Sequence, residues 1–126
     1  MEKERVKFVN HRSRKILVLD LSDGNVDDIA KVIDRGSAII KQAKPKSLVT
    51  LTDVTNIVIR SMSTQHMVEF VRSNKPFVKA AAIVGLNGLT KSILSMTNLV
   101  TGRNIKPFDT REQAFDWLVS NDKPNA

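Results

Sequence analysis

Cysteine is absent from this 126-residue chain, and so is tyrosine. Without cysteine there is no thiol nucleophile and no thiolate metal site, although a cysteine-free domain suits any compartment. Aromatics are scarce, with five Phe and one Trp. They fall where core residues belong rather than between the cations, so no stacking platform for single-stranded nucleic acid is formed. No apolar run approaches the roughly 18 residues of a membrane-spanning helix. The opening MEKERVKF is charged and lacks the apolar segment of a signal peptide, so a cytoplasmic location is expected. Internal repeats and low-complexity linkers are also missing.

What is present describes an ordinary folded domain, with 41% hydrophobic and 26% charged residues. A chain of this length is one domain by size and buries about two-thirds of its unfolded surface, so it needs no disulfide or metal staple. Twenty basic residues against 13 acidic give a charge of +7. The cations gather at Lys3, Arg5, Lys7, Arg12, Arg14 and Lys15 and around Pro45, and the rest are scattered. That distribution reads as a solvated basic surface, with no specific nucleic-acid partner expected.

The order of elements follows from the hydrophobic pattern. Val6, Phe8 and Val9 alternate with charges as in a half-exposed edge strand, and Asn10 to Arg14 forms a polar turn. Lys15 to Leu21 reads as a second strand, paired antiparallel with the first. Asn25 caps a long helix from Val26 to Ala43, whose stripe is Ile29, Val32, Ile33, Gly36, Ile40 and Ala43. Pro45 ends it, and Leu48 to Asp53 is the third strand. Val54 to Ile59 extends that strand or folds over its end. A helix beginning near Ser61 or Ser63 runs to Ser73 and buries Met67, Phe70 and Val71. Phe77 to Val84 is the fourth strand. The next helix, from about Leu89 to Thr101, is expected to turn Leu89, Ile93, Met96, Thr97 and Val100 inward, with Gly102 as its stop. Ile105 to Phe108 is a short last strand. Thr110 and Gln113 open a final helix carrying Ala114, Phe115, Trp117 and Leu118 onto the sheet.

Strands followed by helices in this way predict one α/β domain over residues 1–126, with a core from about 6 to 119 and a fraying tail. The expected sheet is mixed, with about five strands, mostly parallel apart from an antiparallel N-terminal edge, and four helices. Polar residues gather at the C-terminal ends of the strands, which makes that rim the expected functional edge.

LVTLTDVTN after the first long helix, KPFVKAAAIVGLNGLTK in the middle and FDTREQAFDWL at the end together resemble the SpoIIAA-like branch of the STAS superfamily. The resemblance spans roughly Val6 to Val119. It implies βα turns wound in one sense, an architecture shared with CRAL–TRIO lipid-transfer domains. It also implies a non-enzymatic regulatory module, such as an anti-sigma-factor antagonist. In those antagonists a serine at the start of the helix after the third strand is phosphorylated, within an Asp-Ser-Ser/Thr-Gly-type motif. Here the matching stretch is Arg60-Ser61-Met62-Ser63. Arg60 replaces the acidic residue, the glycine is missing, and Ser61 and Ser63 are the positions onto which the phosphoacceptor carries. The resemblance therefore places a partner-binding or switch loop at Asp53, Thr55, Asn56, Arg60, Ser61, Met62 and Ser63.

Enzymatic motifs are incomplete. Gly85-Leu86-Asn87-Gly88-Leu89-Thr90-Lys91-Ser92 joins a strand to a helix, but a P-loop needs glycine directly before the lysine, where Thr90 stands. What remains is an anion site at Gly88, Leu89, Thr90 and Lys91, where helix N–H groups and an ammonium meet. Asp20, Asp23 and Asp53 lie near strand ends, and His11 and His66 have no legible partner. No catalytic, metal or cofactor residues are expected. Met62, Met67 and Met96 cluster around the second and third helices. Methionine packs adaptably, so that region is expected to form an interaction surface or the mouth of an apolar pocket. Two readings follow: a protein-binding regulatory module, and a carrier or sensor of an apolar or amphipathic, lipid-like molecule held between those helices and the sheet. A homodimer is a further expectation, since an edge strand and an apolar loop both call for cover.

Overall fold

Ile16, Leu17, Val18 and Leu19 are all buried, as a strand covered on both faces requires. The computed structural model, which describes residues 4–57 and 64–120, shows how that cover is built. In chain order the elements are β1 (Val6–His11), β2 (Arg14–Asp20), α1 (Val26–Lys41), β3 (Leu48–Asp53), α2 (Thr64–Asn74), β4 (Val78–Val84), α3 (Gly88–Thr101), β5 (Lys106–Phe108) and α4 (Arg111–Ser120). They form one five-stranded sheet in the order β1-β2-β3-β4-β5. β1 is antiparallel to β2, and every later pairing is parallel. The expected mixed α/β architecture is the one observed.

Strand alternation separates two cores. Leu17 and Leu19 join Ile29, Val32 and Ile40 of α1 on one face, where α2 neighbours both α1 and α3. Ile16, Val18, Val49, Leu51, Ala82 and Val84 pack on the other face against Ala114 and Leu118 of α4. Three helices thus cover one face and a single helix the other. Among the described residues, no helix is long and apolar enough to cross a membrane.

The β1–β2 turn is tighter than expected. His11 pairs with Arg14, so only Arg12 and Ser13 make the turn, both with positive φ (51° and 70°). This mirror-image turn matches the strand twist, but its usual Asn-Gly signature is absent. α1 is capped as expected, with Asn25 and Asp28 forming a reciprocal capping box, and ends two residues early with Gln42 as its C-cap.

The larger correction concerns α3. Leu89, Met96 and Val100, expected inside, are 61%, 44% and 52% exposed, and Leu99 is 85% exposed. Thr97 is buried as expected and Ile93 is half-buried, but Thr90, Leu94 and Thr101 take the remaining inward positions. The cause is local hydrogen bonding. Asn87 and Thr90 cap each other reciprocally, which sets the rotation of the first turn. The hydroxyls of Thr97 and Thr101 donate to the carbonyls of Ile93 and Thr97, four residues back. Threonines satisfied by their own helix can be buried without penalty. The expected αL stop at Gly102 is present, with φ 70°.

Candidate functional site

The parallel register sets Asp20 beside Asp53 at the C-terminal ends of β2 and β3, and both are buried. One Arg111 Nη lies 2.9 Å from Asp53 Oδ2 and 3.4 Å from Asp20 Oδ2. Arg111 Nε also donates to Asp53 Oδ2 at 2.9 Å. The other oxygen of Asp53 accepts from the Thr55 backbone N–H and hydroxyl, and Asp20 Oδ1 accepts from Ser22 in the same manner. These bonds tie the loops after β2 and β3 to the first turn of α4. The sequence reading missed Arg111, whose partners lie 58 and more residues away.

This arrangement places the expected switch loop. Asp53 turns inward to Arg111. Thr55 is exposed and packs so close to Gly85 that a Cβ there would stand 2.2 Å from the Thr55 hydroxyl, and Gly85 has φ +88°. Asn56 adopts positive φ and donates through its side-chain amide to Asp23 Oδ1 at 3.1 Å. Ile57 is buried. Arg60, Ser61, Met62 and Ser63 lie outside the described residues.

At the start of α3, the Thr90 N–H is bonded to the Asn87 side chain and the Lys91 N–H to the Asn87 carbonyl. Gly88 and Leu89 are exposed. Lys91 borders a polar cleft of about 300 Å³ that it shares with Asp109 and Gln113. The cleft therefore carries a carboxylate as well as an ammonium.

His11 has a partner that the sequence did not reveal: its Nε2 lies 2.8 Å from Asp116 Oδ1 on α4. That hydrogen bond, reinforced by the charge of Arg12 and opposed by some desolvation, holds the Asp116 carboxyl below its ordinary pKa. Among the described residues, no group of three or more His, Asp or Glu side chains could hold a metal ion.

The most distinctive feature lies beneath the three-helix face. A cavity of about 110 Å³ lies between the sheet and α1, α2 and α3. Leu19, Thr52 and Ile83 form its floor, and Val32 and Ile33 of α1 one side. Met67, Phe70 and Val71 come from α2, facing Ile93, Leu94 and Thr97 from α3. Its polar residues are three threonines, Thr52, Thr90 and Thr97, and the hydroxyls of Thr90 and Thr97 are engaged at the start of α3 and within it. The helix ends are pinned nearby. Arg103 donates to the Val71 carbonyl at 3.0 Å, and burial holds its pKa below the ordinary arginine value. This is the location expected for the apolar-ligand reading. Of the three methionines, Met67 lines the cavity, Met96 faces outward, and Met62 lies outside the described residues.

In comparisons with protein-family models, curated proteins and solved structures, the chain has no significant match.

Proposed function

We propose that this chain is a non-enzymatic binding module of the SpoIIAA-like STAS type, acting in the cytoplasm, whose ligand is an apolar or amphipathic small molecule. The observation that carries the reading is the cavity of about 110 Å³ with an almost wholly apolar wall. Native interiors are close-packed, and voids larger than a water molecule are few. An engineered apolar cavity of about 150 Å³ stays dry and binds benzene or xenon, so a space of this order has room for a small apolar ligand. The cavity also touches the expected output of such a module. Ile57 and Met67 both line it, and they bracket the segment 58–63 that carries Ser61 and Ser63. Filling the cavity would therefore bear on both anchors of that segment.

Native mass spectrometry of the purified chain tests this reading. A co-purified adduct, lost when Ile83→Phe fills the floor, supports it. Ligand-free protein that takes up no small apolar probe, followed through the Leu19 and Ile83 methyl resonances, refutes it.

A separate observation favours a second reading, a regulatory module that binds another protein. Leu89, Met96, Leu99 and Val100 together present apolar surface on the outside of α3. Isolated exposed apolar residues are normal, but a contiguous set on one helix marks an interaction surface. Pull-down with wild-type chain and with Leu99→Asp distinguishes a partner held there from the solitary ligand carrier. Sedimentation of both variants reports whether that partner is a second copy.

A further inference from the structure

Thr52 sits at the middle of the cavity floor. Its cross-strand neighbours in register are Leu19 and Ile83, and all three line the space. β3 is the central strand of the sheet, so this side chain faces the cavity beneath the helices. The three threonines on the wall differ in one respect. The hydroxyls of Thr90 and Thr97 are spent on capping and on the helix backbone, whereas the Thr52 side chain makes no hydrogen bond to a described residue. Thr52 is half-buried, so its hydroxyl is accessible to a molecule that enters the space.

We infer that Thr52 is the specificity-determining residue of the cavity, and that the ligand is a single-ring or short branched molecule bearing one hydroxyl or carbonyl oxygen. The inference rests on the apolar-ligand reading above and narrows it. The volume sets the size: about 110 Å³ holds roughly what a benzene-binding cavity holds, on the order of six non-hydrogen atoms. The hydroxyl sets the chemistry, because it donates or accepts and so pairs with an alcohol, a phenol or a ketone. It cannot neutralise a carboxylate or a phosphate. Apolar pockets with a few placed polar groups commonly divide the work in this way, the walls giving affinity and the polar atom orientation.

Phenol and benzene are the probes, titrated into the full chain and followed by methyl NMR, with Thr52→Val and Thr52→Ser as variants. Phenol is expected to bind wild type at least as tightly as benzene, despite its stronger hydration. Thr52→Val should weaken phenol by about tenfold, the value of one hydrogen bond in a buried site, and leave benzene within about twofold. Thr52→Ser, which keeps the hydroxyl, should retain most of the preference. Wild type that takes benzene and rejects phenol overturns the role of Thr52 and leaves the apolar site standing. So does a Thr52→Val variant that weakens both probes alike or neither. Failure of both probes to bind wild type overturns this inference together with the reading on which it rests.

Discussion

Replacing Arg111 by leucine removes the cation that two buried carboxylates share. Its side chain gives Asp53 Oδ2 two donors at 2.9 Å and approaches Asp20 at 3.4 Å. Taking one partner from a fully buried ion pair costs about 3–5 kcal/mol, chiefly because the remaining charge stays desolvated. Arg111 is 38% exposed on its side chain, so water reaches the vacated place and screens part of that loss. The expected destabilisation is about 2–3 kcal/mol, a large share of the 5–15 kcal/mol typical of a domain. Urea unfolding should show a lower midpoint with an unchanged slope. The companion variant Asp53→Asn keeps the shape and the Thr55 contacts but drops the charge. Combined with Arg111→Leu, it should recover about 1–2 kcal/mol relative to the sum of the single changes, since the leucine then strands one buried carboxylate, Asp20, rather than two. An Arg111→Leu loss below about 0.5 kcal/mol, or strict additivity of the pair, would refute the reasoning.

Asp116 gives a pH prediction. Its carboxyl is held below the ordinary value of 3.8 mainly by the His11 hydrogen bond. A depressed carboxylate stabilises the fold above its unfolded pKa and loses that contribution as pH falls through the folded value. Asp116→Asn should therefore flatten the acid limb of stability below about pH 4 and leave the fold's pH response above pH 6 unchanged through this group, as chemical unfolding across that range would show. The rotation of α3 predicts a contrast read by urea midpoints: Leu94→Ala should cost about 2–3 kcal/mol, and Leu99→Ala, at 85% exposure, less than about 0.5 kcal/mol. Thr97→Leu should fill the cavity, raise stability by about 1 kcal/mol and abolish small-molecule uptake together. The lost Thr97 hydroxyl strands no partner, because it serves a carbonyl of its own helix.

Which parts of this architecture were legible in the sequence follows from the range of the forces involved. β3 has the bounds expected from LVTLTD, and the caps at Asn25 and Gly102 stand where the residue types put them. Those features are written in neighbouring residues, through strand-length apolar runs and side chains that bond the adjacent backbone. The Arg111 clamp and the His11–Asp116 pair join residues 58 and 105 positions apart, and nothing local marks them. The apolar region between the second and third helices was legible in part: of Met62, Met67 and Met96, which marked it in the sequence, Met67 lines the cavity and Met96 faces outward. That the region is hollow was not legible, because volume left over between layers is a property of three helices and a sheet at once. Thr52 in LVTLTD looked like any strand threonine. Its meaning depends on Leu19 and Ile83 arriving beside it.

The missed rotation of α3 and the cavity are one feature. An α-helix turns about 100° per residue; of the expected inward set Leu89, Ile93, Met96, Thr97 and Val100, Ile93 and Thr97 do face the cavity, whereas Leu89, Met96 and Val100 give way to Thr90, Leu94 and Thr101. In the expected orientation, long side chains would enter the space over Thr52. In the observed one, threonines at 90, 97 and 101 stand beside Ile93 and Leu94 on the inward side, and shorter side chains leave the space open. Burying a side chain of the Leu, Met or Val class stabilises by roughly 1.5–3 kcal/mol, so Leu89, Met96 and Val100 in water forgo burial that Leu94, at 9% exposure, and the Asn87–Thr90 cap offset in part. A molecule inside the cavity would add apolar contact at the inner wall, and a partner on α3 would add it at the outer face. A ligand that seats against Thr97 and Ile93 from within also holds the helix in the rotation that keeps Leu99 outside. On this argument the two proposed activities are coupled: occupancy of the cavity should strengthen contact at the α3 surface rather than compete with it.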